Sequence, residues 1–168
     1  SPTGVTPLKL TFLGANRQVT GSRYFLEAAG LKIMVDCGMF QERPFLERNW
    51  QKPPVDPSTI DCLLLTHAHL DHCGLIPRLV AAGFKSPIYT TPASIDLAEI
   101  VMLDAAKIQQ EDAAFKAKRH AAEGRTGPRP ILPLFTVEDA RRAMMLFRPV
   151  QYNQPLRLSE AVSVRYLD

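Results

Sequence analysis

The stretch Asp61-Cys-Leu-Leu-Leu-Thr-His-Ala-His-Leu-Asp-His72 decides how this chain folds. Its first half, Asp61 to Thr66, is a nearly continuous apolar run, the pattern of a strand covered on both faces. Its second half places four residues of metal-ligand type within six positions, where that strand ends. Side chains repeat every two residues in extended chain, so His67 and His69 point to one side and are suited to one ion. Asp71 and His72 follow where the backbone turns toward a helix, displaced from the first pair and suited to a second ion close by. Imidazole and carboxylate are ligands that Zn²⁺ accepts, and the set also tolerates Mn²⁺ or Fe²⁺; zinc is the default expectation. Two such cations hold a water between them, lower its pKa toward neutrality and bind a phosphate or carbonyl oxygen for attack. A lone histidine is usually an ordinary core or surface residue, but four ligand types at the end of one buried strand are not.

Outward from this stretch, Leu31 to Val35 reads as a neighbouring apolar strand that ends at Asp36-Cys37-Gly38. A carboxylate at that exit can accept the second ring N–H of a ligand histidine and fix its tautomer; the plainer alternative is a turn-forming aspartate. Leu8 to Leu13 and Arg23 to Glu27 read as strands, separated by turn-like Gly14 to Ser22 and followed by an Ala28-Ala29-Gly30 turn. Phe40 to Pro57 is expected to be a long irregular connection. Leu75 to Ala82 has helical spacing closed by Gly83, and Pro87 to Thr90 is a short strand. Thr91-Pro92 opens a long helix to about Glu123, with Ile95, Ile100, Leu103 and Ile108 among its apolar positions. Thr136 caps a further helix, with Val137, Ala140 and Met144 on its buried side, ending near Pro149. Val150 to Tyr152, Leu156 to Leu158 and Val162 to Leu167 read as strands. Strands and helices in this order give an α/β (α+β) chain.

With 168 residues, 46% of them hydrophobic, one domain or part of one is expected. No run approaches the ~18 apolar residues of a membrane span, and Ser1 to Lys9 lacks a signal-peptide layout, so the chain reads as soluble and cytoplasmic. Ser1 in place of Met suggests that a leader, tag or initiator has been removed. Cys37, Cys62 and Cys73 form no CxxC pair and are read as free thiols of a reducing compartment. The net charge of +3 is compatible with an anionic substrate and equally with ordinary solvated basic side chains. His120, in a charged part of the long helix, reads as a solvated residue, and Cys73 as a buried small side chain, not a thiolate ligand.

The string His67-Ala-His-Leu-Asp-His72, with Asp36-Cys-Gly38 before it, resembles the metallo-β-lactamase superfamily along the whole chain. Within it, Leu13-Gly-Ala-Asn-Arg-Gln-Val-Thr-Gly-Ser22, Asp71-His-Cys-Gly-Leu-Ile-Pro-Arg78, Pro87-Ile-Tyr-Thr-Thr-Pro92 and Ala106-Lys-Ile-Gln-Gln-Glu-Asp112 resemble the β-CASP branch of RNA-processing nucleases. The resemblance implies an αββα sandwich with two zinc ions at one edge, His67 and His69 on the first, Asp71 and His72 on the second. Asp71 would also orient the attacking water. Further ligands and a β-CASP cap would come from a longer chain. The sequence stops at Asp168 directly after an alternating strand, so residues 1–168 are expected to be the N-terminal part of the domain. Alone, that part would be inactive and bind zinc poorly.

The expected activity is hydrolysis of RNA phosphodiesters by a two-metal-activated water, with RNA as partner, no membrane association and room for a homodimer in the full-length protein. Two other readings stay open: a hydrolase of the same fold acting on a small substrate such as a thioester, and a non-catalytic scaffold subunit. Asn16, Arg17, Thr20 and Ser22 are candidates to touch substrate phosphates, unless Gly14 to Ser22 is only a hairpin connection.

Overall fold

The apolar runs on either side of the histidine cluster become paired strands in the middle of a five-stranded sheet. The computed structural model of the protein describes residues 8–12, 21–125, 127 and 131–168. Its elements are β1 (Leu8–Phe12), β2 (Tyr24–Ala28), β3 (Leu31–Val35), β4 (Cys62–Leu64), α1 (Leu70–Cys73), α2 (Ile76–Ala81) and β5 (Ile88–Thr90). There follow α3 (Pro92–Glu123), α4 (Val137–Met144), β6 (Phe147–Pro149), β7 (Leu156–Arg157) and β8 (Val162–Tyr166). One sheet has the order β2-β3-β4-β5-β6, antiparallel at β2 and parallel from β3 to β6; the other has the order β1-β8-β7. The β2–β3 hairpin turns on Ala29 and Gly30, both at positive φ (50° and 80°), as a two-residue loop matched to the strand twist requires.

Alternation along the central strands divides the core in two. Met34, Leu63, Leu65 and Ile88 face the helices, meeting Ile76, Leu79, Met102 and Ala140. Ile33, Val35, Cys62 and Leu64 face the second sheet, meeting Val162, Val164 and Tyr166 of β8. Both faces of β4 and of the Ile33 to Val35 part of β3 are therefore buried, as their apolar character suggests. The layers run α, β, β. The fourth layer of the αββα sandwich implied by the resemblance is not among the described residues. Across the inter-sheet core the Tyr166 hydroxyl lies 2.9 Å from the Leu65 carbonyl and 3.0 Å from that of Tyr89, tying β8 to the other sheet.

Two expectations need correction. The connection from Phe40 to Pro57 is not irregular throughout: Arg43–Trp50 forms a 3₁₀ helix. Its order comes from a buried side chain, Asn49, whose Oδ1 accepts from Phe40 N (2.7 Å) and whose Nδ2 donates to Phe40 O (2.8 Å). The last helix stops at Met144, and the strand placed at Val150 to Tyr152 lies upstream at Phe147–Pro149. Pairing with β5 (Ile88↔Phe147 to Thr90↔Pro149) outweighs the local helical pattern, and Pro149 is tolerated because β6 is an edge strand. On α3, Ile100 and Ile108 face solvent at 65% and 50% exposure. The buried stripe is Ala98, Met102, Ala105 and Ala106, and its three alanines are small residues that a search for large apolar side chains underweights.

Gly38, just beyond β3, has no room for a side chain: a Cβ there would fall on the Asp71 carbonyl and crowd Ser22 N. Both neighbours are backbone and neither yields cheaply. Gly38→Ala is expected to lower unfolding free energy by about 3 kcal/mol or more, the upper end of overpacking costs, read from the urea midpoint. Tyr166→Phe removes the hydroxyl that bridges the two sheets and should cost about 1 kcal/mol in the same measurement.

Candidate metal centre

Parallel strands open at their carboxyl ends, and the chain places its histidines at the exit of β4 beside the exit of β3. His67 and His69 lie on one side of the extended segment, their rings nearly parallel (10°) with centroids 6.3 Å apart. His72 enters from α1, its ring centroid 5.1 Å from that of His67. Asp71 Oδ2 lies 3.6 Å from His72 Nε2. His69 is exposed, and with Asp71 it borders an open hollow of about 360 Å³ whose far wall is α3, through Val101, Asp104, Ala105 and Ile108.

Behind the rings sits Asp36, 2% exposed, at the exit of β3. Its φ of 60° puts it in the left-handed region, where aspartate is among the few side chains tolerated. The carboxylate accepts from Thr66 N–H (2.7 Å), from the Thr66 hydroxyl (2.6 Å) and from His72 Nδ1 (2.7 Å). The Thr66 hydroxyl also lies 3.1 Å from His67 Nδ1. Thr66 had drawn no attention in the sequence, where it reads as the last residue of an apolar run; only its placement beside Asp36, 30 positions earlier, reveals it.

The electrostatics separate the two rings. The hydrogen bond that His72 donates to Asp36 raises the pKa of His72, against the opposing effect of burial, while burial, reinforced by the nearby His72, lowers that of His67. The free thiols Cys37, Cys62 and Cys73 are buried and pushed up to about 12 by that burial, so none is a ready thiolate. Cys73 lies in the helix-side core. His120 is half-buried on α3 and borders a different hollow with Asp112 and Lys116, apart from the other three histidines.

Of the proposed phosphate-contacting residues, Asn16, Arg17 and Thr20 lie outside the described residues. Ser22 lies within them: its N–H donates to the Asp71 carbonyl (3.0 Å) and its carbonyl accepts from Gly38 N–H (3.0 Å), so its backbone holds the segment that carries Asp71.

Among the described residues no group of three or more His, Cys, Asp or Glu side chains is close enough to hold an ion together. Asp71 and His72 fit a divalent cation as a pair. Ligand bonds of about 2.0–2.1 Å to tetrahedral zinc place neighbouring donors on the order of 3.3 Å apart, close to the 3.6 Å between His72 Nε2 and Asp71 Oδ2. His72 Nδ1 is occupied by Asp36, which leaves Nε2 as the ligating nitrogen.

Comparison with known proteins bears on this arrangement. The chain is 38% identical over 151 residues to Ribonuclease TTHA0252 of Thermus thermophilus, covering 90% of this chain and 30% of that protein. It is 30% identical over 108 residues to Transcription termination factor FttA of Methanocaldococcus jannaschii, covering 62% and 17% of the two chains. It is 29% identical over 168 residues to the Integrator complex subunit 11 homolog of Dictyostelium discoideum, covering 94% and 20%. The chain thus spans less than a third of the length of these relatives. Residues 17–144 match the family model described as Metallo-beta-lactamase superfamily, a span that holds β2 to α4 and every residue of the histidine cluster, and the chain belongs to that superfamily.

Proposed function

We propose that this chain carries the metal-binding edge of a zinc-dependent ribonuclease of the β-CASP type, which hydrolyses RNA phosphodiesters in the cytoplasm. The observation that carries the reading is the convergence at one strand end of three imidazoles and a carboxylate, one imidazole fixed from behind by buried Asp36. Similarity to a ribonuclease, a transcription termination factor and an Integrator subunit homolog supports RNA over a small substrate.

His67 and His69 would hold one cation, and Asp71 and His72 another. Two divalent cations supply Lewis acidity toward a phosphodiester and make hydroxide accessible at neutral pH. The chain's own residues do the rest. Asp71, partly exposed on the hollow, is placed to accept the proton of an attacking water and orient its lone pair. Asp36 holds the His72 ring so that one nitrogen faces forward. The exposed side of the hollow, lined by His69, Asp71 and the α3 wall, leaves a path for an extended strand of substrate. Two side chains per cation fall short of the three or four typical of zinc, and the remaining ligands are assigned to residues of the protein outside this chain.

The protein expressed from its whole gene and loaded with zinc should cleave RNA, and Asp71→Ala should reduce the rate by about 10²–10⁴-fold. Wild-type protein that retains zinc yet leaves RNA intact, or an Asp71→Ala variant as fast as wild type, would sink the assignment. Asp36→Asn, which keeps the side-chain shape and tolerates the left-handed backbone, should weaken zinc binding by about 10–100-fold in competition with a chelator. Unchanged zinc affinity would reduce Asp36 to a purely architectural residue.

A further inference from the structure

The Thr66 hydroxyl stands among three groups, 2.6 Å from Asp36 Oδ2, 3.1 Å from His67 Nδ1 and 3.4 Å from His72 Nδ1. A hydroxyl has a single hydrogen to donate, and an ionised carboxylate can only accept. The shortest of the three contacts therefore takes that hydrogen, and Thr66 Oγ1–H donates to Asp36. Only oxygen lone pairs remain to face His67. A hydrogen bond at 3.1 Å then exists only if His67 Nδ1 itself carries the proton.

We infer that Thr66 is a positioning residue that locks neutral His67 as its Nδ1–H tautomer, leaving the Nε2 lone pair to point away from Asp36 and toward a cation. The same accounting covers His72, whose Nδ1 donates to Asp36 Oδ2 and whose Nε2, in the neutral ring, is thereby left as an acceptor, 3.6 Å from Asp71 Oδ2. One carboxylate thus sets two rings, His72 by direct contact and His67 through a single hydroxyl. Tautomer choice matters because a ring with hydrogen on the forward nitrogen has no lone pair there to give a metal. The metal-facing purpose of the lock rests on the function proposed above, whereas the tautomer belongs to the chain without any metal.

The test is long-range ¹H–¹⁵N NMR of the imidazole nitrogens in chelator-stripped intact protein at mildly alkaline pH, on wild type, Thr66→Val and Thr66→Ser. In wild type and Thr66→Ser, His67 should show a protonated Nδ1 and a pyridine-like Nε2. In near-isosteric Thr66→Val it should shift toward the Nε2–H form. Zinc affinity by chelator competition should fall about 10–100-fold in Thr66→Val and recover in Thr66→Ser. An Nε2–H His67 in wild type overturns the inference on its own, whether or not the valine variant folds, and so does an unchanged tautomer in folded Thr66→Val. Should the tautomers behave as stated while no variant binds zinc, the metal reading fails and the role of Thr66 stands.

Discussion

Everything at the histidine cluster depends on satisfying one carboxylate buried inside the protein. Burying an ion without partners is far more costly than any single contact returns, and the penalty is offset only when its lone pairs are filled by good donors. Asp36 meets that condition with a backbone N–H, a hydroxyl and an imidazole N–H, all between 2.6 and 2.7 Å. These donors come from the exit of β4 and from α1, so satisfying Asp36 joins the end of β3 to a segment that begins 30 positions later. The left-handed backbone at Asp36 is the local cost, of the kind that persists only where the surroundings over-determine a conformation.

The sheet makes this arrangement possible. Ile33 and Val35 on β3, and Cys62 and Leu64 on β4, pack toward β8; Met34, Leu63 and Leu65 pack toward the helices. With both faces committed, the register of β3 against β4 (Ile33↔Cys62 to Val35↔Leu64) cannot slip by one residue without turning each strand's side chains to the wrong layer. That fixed register is what brings Asp36, one residue past β3, level with Thr66, two residues past β4. Asp36 N–H donates to Leu64 O at 2.9 Å and carries the pairing one residue beyond the strand.

The parts of this design that are local in sequence were legible there. The histidine string, the two-faced apolar runs of β3 and β4, the Ala29-Gly30 turn and the start of α3 at Thr91-Pro92 all carry their signal within a few residues. The position of Asp36 at a strand exit was legible too, because the exits of adjacent parallel strands meet. What was hidden depends on partners far along the chain. The 3₁₀ helix Arg43–Trp50 is ordered by Asn49 reaching back to Phe40, β6 by pairing with β5, and Thr66 is notable only once β3 lies beside it. Which face of α3 is buried was hidden for a related reason: apolar side chains such as Ile100 and Ile108 announce themselves in sequence, whereas the closeness of a neighbour that favours alanine does not.

Why Asp71 and His72 are held so firmly is a separate matter, since α1 spans only Leu70–Cys73 and a helix of one turn has no stability of its own. Most carbonyls of so short a helix find no partner within it. Here two find partners on the chain leaving β3, Leu70 O accepting from Met39 N (2.8 Å) and His72 O from Cys37 N (2.7 Å), and a third, Asp71 O, accepts from Ser22 N (3.0 Å) just before β2. Leu75 N–H returns the contact to Cys37 O at 2.9 Å. The turn is thus docked by its backbone onto residues 37–39, the continuation of the strand whose end supplies Asp36. Gly38 lets the two backbones approach, because any side chain there would collide with the Asp71 carbonyl. The side chains of His72 and Asp36 and the main chains that carry them are therefore fixed against each other by independent sets of hydrogen bonds. Movement of either segment alone breaks both sets, which keeps the forward nitrogen of His72 aligned with the Asp71 carboxylate.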